Sequence, residues 1–342
     1  MRYVILSLLS ALLFGAATPA SKVLLGSLNA FQLAGLLYLG AAIAMGPVAI
    51  KEKHQHKIPN ITSLNLRRLF WAIIFGGILG PVLLLWGLRL ASASSVSLWL
   101  NLEMVATLIL GWLFFKDHLG RFEILGAAGI LIASMLLGFG EKTATPVAGI
   151  FIGLACVCWG LDNHFTASID GITPSQSTMW KGMFAGSTNL LIGSIMETTP
   201  PPIKIIAYAL ILGAFSYGIS IALYIKSAQQ IGASRSQMIF STSPFFGVVL
   251  SAFFLGESLS VFHYASALLI AISVFAVFRD KHEHLHIHQE LAHAHEHLHD
   301  DGHHGHIHDE KNADLRHSHW HEHLSGEHSH PHWPDLHHRH DH

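Results

Sequence analysis

Apolar residues run in stretches of about 20 from Tyr3 to Phe278, separated by short polar connections, and then the pattern stops. A helix of that length spans a hydrocarbon core of roughly 30 Å. Ten such spans are predicted: 3 to 26, 30 to 50, 68 to 89, 92 to 115, 121 to 139, 147 to 168, 174 to 196, 203 to 225, 234 to 255 and 260 to 278. No connection among them is long enough to hold a soluble domain. The expected fold is therefore all-α and integral to the membrane, with a polar tail.

The spans repeat. Sliding the second half on the first by 140 residues aligns Ala93-Ser94 with Ala233-Ser234, Phe114 with Phe254, Asp117-His118-Leu119 with Glu257-Ser258-Leu259, and Ile132 with Ile272, without gaps. Two five-helix halves are indicated, residues 1–140 and 141–281, followed by a tail, 282–342. Five being odd, the halves enter the membrane in opposite directions. An inverted repeat of this kind places a solute site near the midplane, between the halves.

Charge adds orientation. The chain is 51% hydrophobic and 12% charged, with a mean hydropathy of +0.43 despite the polar tail. Of 22 Asp/Glu, 12 fall after residue 281, against 3 of the 20 Lys/Arg, so the membrane part is basic. With a cytoplasmic N-terminus, the inward connections carry Lys51, Lys53, Lys57, Arg67, Arg68, Lys116, Arg121, Lys226, Arg279 and Lys281; the outward ones carry chiefly Arg89, Lys142 and Lys204. That bias places both termini inside a cell (inner, cytoplasmic) membrane, and it implies no nucleic-acid partner. Met1-Arg2 followed by Val4 to Gly15 and Ala17-Thr18-Pro19-Ala20 also fits a cleavable signal, but its removal would leave nine spans and destroy the repeat. Cys156 and Cys158 share one apolar run, which leaves neither a disulfide framework nor a four-thiolate zinc site.

Motifs stand in order along the chain: Phe14-Gly15 through Lys22; Gly87 to Ser94 leading to Asn101-Leu102-Glu103; Leu113 to Leu119; then Trp159 to Asn163, Ile231 to Arg235, Ser243-Pro244 and Leu255 to Leu259. Together they resemble the EamA family of the drug/metabolite transporter superfamily, over about residues 1 to 280. The resemblance implies an exporter of amino acids, metabolites, drugs or other small solutes. The chain departs from the pattern at Leu37-Tyr38 and at His164, and the tail lies outside it.

Individual residues narrow the search. Glu103 lies in span 4, where an ionised carboxylate against lipid costs about 2.5–3.5 kcal/mol, so it faces the interior as a coupling carboxylate or as a neutral hydrogen-bonding one. Asp162, Asn163 and His164 form a polar cluster in span 6, usable as part of a first shell for a divalent cation or as partners of an organic ligand, with Asp162 and Thr166 on one helix face. Lys22 and Lys181 read as snorkelling side chains. Pro19 and Pro244 interrupt helices and are candidate cavity-lining positions. Trp86, Trp99, Trp112, Trp159 and Trp180 read as packing and interfacial belts.

The tail holds 23 of the 28 histidines. His282, His284, His286, His288, His293, His295, His297, His299, His303, His304, His306 and His308 recur largely at i, i+2, interleaved with carboxylates. Imidazoles in that company suit Zn, Ni, Co or Cu, and so sparse an apolar content predicts a disordered segment without metal. No nucleophile–base pair, phosphate loop or closed catalytic zinc motif is present, so no enzyme is expected. Three functions compete: efflux of a divalent transition-metal cation (Ni, Co or Zn), placed first; export of a small organic metabolite or amino acid, with the tail as metal buffer or regulator; and a membrane-anchored metal sensor without transport. Lipid is a partner in each, and a second copy of the chain is a further candidate.

Overall fold

The computed structural model describes residues 2–55, 62–115, 120–140, 145–167, 169, 172–231 and 239–277, and within the tail 282–288, 291–297, 317–323 and 326–332. Residues 281–333 form a unit separate from the helical one.

The described helices of the first unit fall into ten segments, named here helix 1 to helix 10. Helix 1 is Arg2–Gly15 and Ala17–Leu24, broken at Ala16. Helix 2 is Ala30–Gln55. Helix 3 is Ser63–Ala72 and Gly80–Leu90, joined by a π-helical stretch, Ile73–Leu79. Helix 4 is Ala93–Trp99 and Leu102–Phe115. Helix 5 is Arg121–Gly140, helix 6 Pro146–Ala167 and helix 7 Pro174–Met196. Helix 8 is Ile203–Gly213 and Ser220–Ile231, around a second π-helical stretch, Ala214–Ile219. Helix 9 is Ser243–Leu255 and helix 10 is Val261–Val277. Seven of these (1 to 6 and 8) are long and apolar enough to cross a membrane, and helices 9 and 10 are apolar but shorter. Helix 9 was expected from residue 234; residues 232–238 lie outside the described set, and Ser241-Thr242 form a turn before Ser243. Helix 3 starts at Ser63 rather than 68 because Thr62 caps it, its side chain accepting from the Asn65 N–H.

The surface of this bundle is apolar and much of its interior is polar. Phe139, Phe253 and Ile195 are largely exposed, whereas Ser7, Ser10, Ser94, Asn189 and His263 are almost fully buried. Lipid on the outside explains the first, and helix–helix hydrogen bonding the second. Helices 1 and 8 are joined by serines: Ser7 Oγ donates to Ser227 Oγ at 2.9 Å, Ser10 Oγ to the Ser220 carbonyl at 2.6 Å, and Ser216 Oγ to the Leu13 carbonyl at 2.7 Å.

The packing obeys a two-fold pattern. Helix 2 packs on 7 and helix 5 on 10; helix 3 on 6 and helix 8 on 1; helix 4 on 6 and helix 9 on 1. Adding five to each helix number returns the same set. The two π stretches also correspond at the 140-residue offset, within one residue. So do the turn at Leu100-Asn101 in helix 4 and the turn before helix 9.

In the tail unit, expected to lack regular structure, the backbone forms two antiparallel two-stranded ribbons: His282–His288 with Gly326–His332, and Leu291–His297 with His317–His323. Alternation of histidine with other residues is compatible with the period of a strand, and backbone pairing requires no apolar core. Ribbons of two strands are at best marginal in water.

Candidate functional site

The π stretch of helix 3 frees carbonyls from the helical ladder. Gly76 O accepts from Tyr38 Oη–H (2.5 Å) and from Trp159 Nε1–H (3.2 Å), and Gly77 O from Asn189 Nδ2–H (3.1 Å). Helices 2, 6 and 7 are thereby tied to one turn of helix 3. A Cβ on Gly76 would collide with the Asp162 carboxylate, so glycine here is what lets helix 6 lay an acid against this backbone.

Asp162 has its counter-ion. Lys181 Nζ, on helix 7, donates to Asp162 Oδ1 at 2.6 Å and to Oδ2 at 2.7 Å, with the two side chains 14% and 12% exposed. Thr166 Oγ1 donates to Asp162 Oδ1 at 2.9 Å, as its i, i+4 position foretold. The snorkelling reading of Lys181 is overturned: a carboxylate within reach is a better partner than distant water. Lys22 does not snorkel either; its Nζ caps the end of helix 3, donating to Leu88 O (2.5 Å) and Ala91 O (2.8 Å).

Glu103 opens the second piece of helix 4, half-buried, and its Oε1 accepts from Asn163 Nδ2 at 3.0 Å. Asn163 also donates to Thr107 Oγ1 (3.3 Å), and His164 Nε2 lies 2.9 Å from the Thr107 carbonyl. The Asp162-Asn163-His164 cluster therefore does not converge. Consecutive helical residues point about 100° apart, so Asp162 faces helices 3 and 7 while Asn163 and His164 face helix 4. Glu103 and Asp162 are still within Coulombic range of one another, and both are within range of Tyr38. Among the described residues no three His, Cys, Asp or Glu side chains gather as a metal site.

Aromatic rings continue from this polar patch. Tyr38 lies 5.6 Å from Tyr217, Tyr217 5.8 Å from Phe14, Phe14 5.3 Å from Phe240, and Phe240 5.0 Å from Tyr224, centroid to centroid. Tyr217 sits in the π stretch of helix 8, the counterpart of Gly77. Pro19 is buried in the second piece of helix 1, and Pro244 is in the first turn of helix 9, where a missing N–H costs nothing. Trp99 and Trp159 are buried donors to backbone carbonyls (Ser134 O and Gly76 O), while Trp86, Trp112 and Trp180 are exposed. Cys156 and Cys158 are free and buried. In the tail, His282, His284, His286, His288, His293, His295 and His297 lie on the strands, and His299, His303, His304, His306 and His308 lie outside the described residues.

Sequence reasoning read Lys181 as snorkelling and named Tyr38 only as a departure from a motif, and it missed Tyr217. The position of Lys181, seven residues past the start of helix 7, was visible; its partner was not visible from spacing.

The chain matches the EamA-like transporter family twice, over residues 1–139 and 147–279. It is 26% identical over 289 residues to an uncharacterized transporter of Methanothermobacter thermautotrophicus, covering 79% of this chain and 84% of that one. It is also 26% identical over 231 residues to the uncharacterized transporter YyaM of Bacillus subtilis, covering 63% and 75%. A protein of known crystal structure, 13% identical, superposes with a TM-score of 0.57 over 81% of this chain and 96% of its own, a likeness of fold.

Proposed function

The chain belongs to the EamA-like transporter family, a multi-pass membrane protein and not an enzyme, and from that premise we propose that it exports a small organic solute carrying an amino or other cationic group. Ten spans in two inverted halves, with both termini cytoplasmic in the inner membrane, are the arrangement proposed for it.

The observation that carries the substrate class is the pairing around Glu103. Its carboxylate is half-buried and held by an amide, and within its Coulombic range stand Tyr38 and Tyr217, whose rings are 5.6 Å apart. An organic cation is recognised by a carboxylate and by π faces together. Asp162 supports the same reading by being occupied: a divalent ion approaching it meets the Lys181 ammonium 2.6 Å from the carboxylate.

A second reading rests on the 23 tail histidines. In it the pore exports Ni, Co or Zn cations collected by the tail; in the first, the tail binds Zn, Ni, Co or Cu as a buffer or regulator. The deciding experiment compares cells expressing the full chain, the chain ending at Lys281 and Glu103→Gln. Metal accumulation and counterflow of radiolabelled amines in vesicles are both measured. Amine counterflow by the first two, abolished in Glu103→Gln, with metal accumulation unaffected by Glu103→Gln, supports the proposal. Metal accumulation lowered by the full chain and restored by Glu103→Gln, without amine counterflow, replaces it with metal efflux.

A further inference from the structure

Away from the site, at the start of helix 4, a second cluster draws five helices together. Glu257, in the connection from helix 9 to helix 10, reaches across to the other half of the chain. Its Oε1 accepts from the Ala93 N–H at 2.8 Å and its Oε2 from the Ser94 N–H at 2.9 Å. Ser92 caps the same turn, its Oγ accepting from the Ser95 N–H. His263, the third residue of helix 10 and 2% exposed, places Nε2 3.2 Å from Ser94 Oγ and 3.1 Å from Ser95 Oγ, while its Nδ1 accepts from the Ser260 N–H at 3.2 Å. Lys22, holding the end of helix 3, is within Coulombic range of Glu257.

Both connections lie on one face of the bundle. Counted along ten crossings, the link between helices 3 and 4 and that between 9 and 10 each follow an odd number, so both lie opposite the N-terminus.

Helix 4 is built to transmit what happens there. Its first piece, Ala93–Trp99, packs on helix 9, so closely that a Cβ on Gly247 would strike Ser97. Its second piece packs on helix 6 and carries Glu103. Between them the ladder shortens to i, i+3 bonds at Asn101, Glu103 and Met104, and Asn101 Nδ2 donates to Leu98 O. Beneath the half-buried Glu257, Ser94, Ser95 and His263 are buried, whereas Asn163, Glu103 and Lys181 near the site retain exposure.

We propose that Glu257, seated on the Ala93 and Ser94 amides beside His263, is the latch of a gate closing the face opposite the N-terminus, with Leu100-Asn101 as its hinge. Two amides and a carboxylate form charge-assisted bonds that release as a unit, so the contact has two states rather than a continuum. When it opens, the Ala93–Trp99 piece swings with helix 9 or parts from it, and the stretch leading to Glu103 becomes accessible from that face.

The test reads accessibility, so it is independent of substrate. In the full chain with Cys156→Ala and Cys158→Ala, a single thiol is placed by Ser97→Cys and labelled with a membrane-impermeant methanethiosulfonate, in intact cells and in inverted vesicles. Glu257→Ala is expected to speed labelling from the latch face at least about tenfold, and Glu257→Asp less. Ser220→Cys, fully buried on helix 8 where it bonds Ser10 of helix 1, serves as the reference for general loosening. Ser97→Cys labelling that Glu257→Ala leaves unchanged overturns the latch; so does an equal rise at Ser220→Cys. An unchanged Ser220→Cys with faster Ser97→Cys supports it, whatever solute the protein moves.

Discussion

An ion pair sunk into a bundle that faces lipid is sensitive to losing one member. Removing a single partner of a buried pair costs about 3–5 kcal/mol, because the survivor is left charged without compensation; slight exposure puts Asp162 and Lys181 below the top of that range. Asp162→Asn and Lys181→Met are each expected to lower the thermal unfolding temperature of the detergent-solubilised protein by several degrees, and the double variant to regain most of it. Single variants as stable as the parent would show that the pair is solvated. Glu103→Gln should behave otherwise. The Gln side-chain carbonyl still accepts from Asn163, so stability should change by less than about 1 kcal/mol, while solute counterflow is lost. Retained counterflow would remove Glu103 from the transport path. That Glu103 and Asp162 belong to the interior was legible from their charge within apolar runs. That Lys181 neutralises Asp162 was not, because the contact is made between two helices and depends on how helices 6 and 7 meet.

Helices 3 and 8 contain π stretches at equivalent places, yet the two halves use them differently. In helix 3 the stretch contains Gly76, pressed against Asp162; in helix 8 the equivalent residue is Ser216, whose hydroxyl reaches the Leu13 carbonyl. Making the halves alike should therefore fail in one direction. Gly76→Ser puts atoms where the Asp162 carboxylate lies and is expected to cost about 1–3 kcal/mol, as overpacking does. Ser216→Gly loses one hydrogen bond, about 1 kcal/mol, plus the cost of a helical glycine. Thermal unfolding of the two variants compares them directly, and equal losses would argue that Gly76 has room to move. The 140-residue offset exposed the repeat through Ala93-Ser94, Asp117 and Glu257, and span lengths located most helices. The π stretches escaped because one inserted residue leaves hydropathy unchanged, and the turn at Ser241-Thr242 escaped because two small polar residues between Phe240 and Ser243-Pro244 do not by themselves end a span.

At the scale of the molecule, the membrane bundle and the histidine tail answer to different physics. The bundle is held by helix–helix packing, serine hydrogen bonds and buried polar contacts within residues 1–280, while the tail unit spans residues 281–333 and pairs its described strands backbone to backbone. Ending the chain at Lys281 keeps every one of those bundle contacts and is therefore expected to leave the unfolding temperature of the bundle within about 2 °C of the parent's, a change of under about 0.5 kcal/mol. Metal should separate the two forms. Imidazoles of ordinary pKa, about 6.5, are mostly neutral at pH 7.5 and mostly protonated at pH 5.5. Isothermal titration with nickel or zinc should accordingly show several sites per full chain at pH 7.5, far weaker uptake at pH 5.5, and almost none for the chain ending at Lys281 at either pH. The register of the ribbons adds a constraint: His282 stands opposite His332, His284 opposite His330 and His286 opposite His328, with a matching set from His293 to His297 against His321 to His317. If those pairings persist in the metal-bound form, binding should raise the strand signal of the tail in circular dichroism difference spectra between the full and shortened chains. Saturable binding with no such signal would mean that the histidines take metal from an unpaired chain, and that the tail acts through its composition rather than its register.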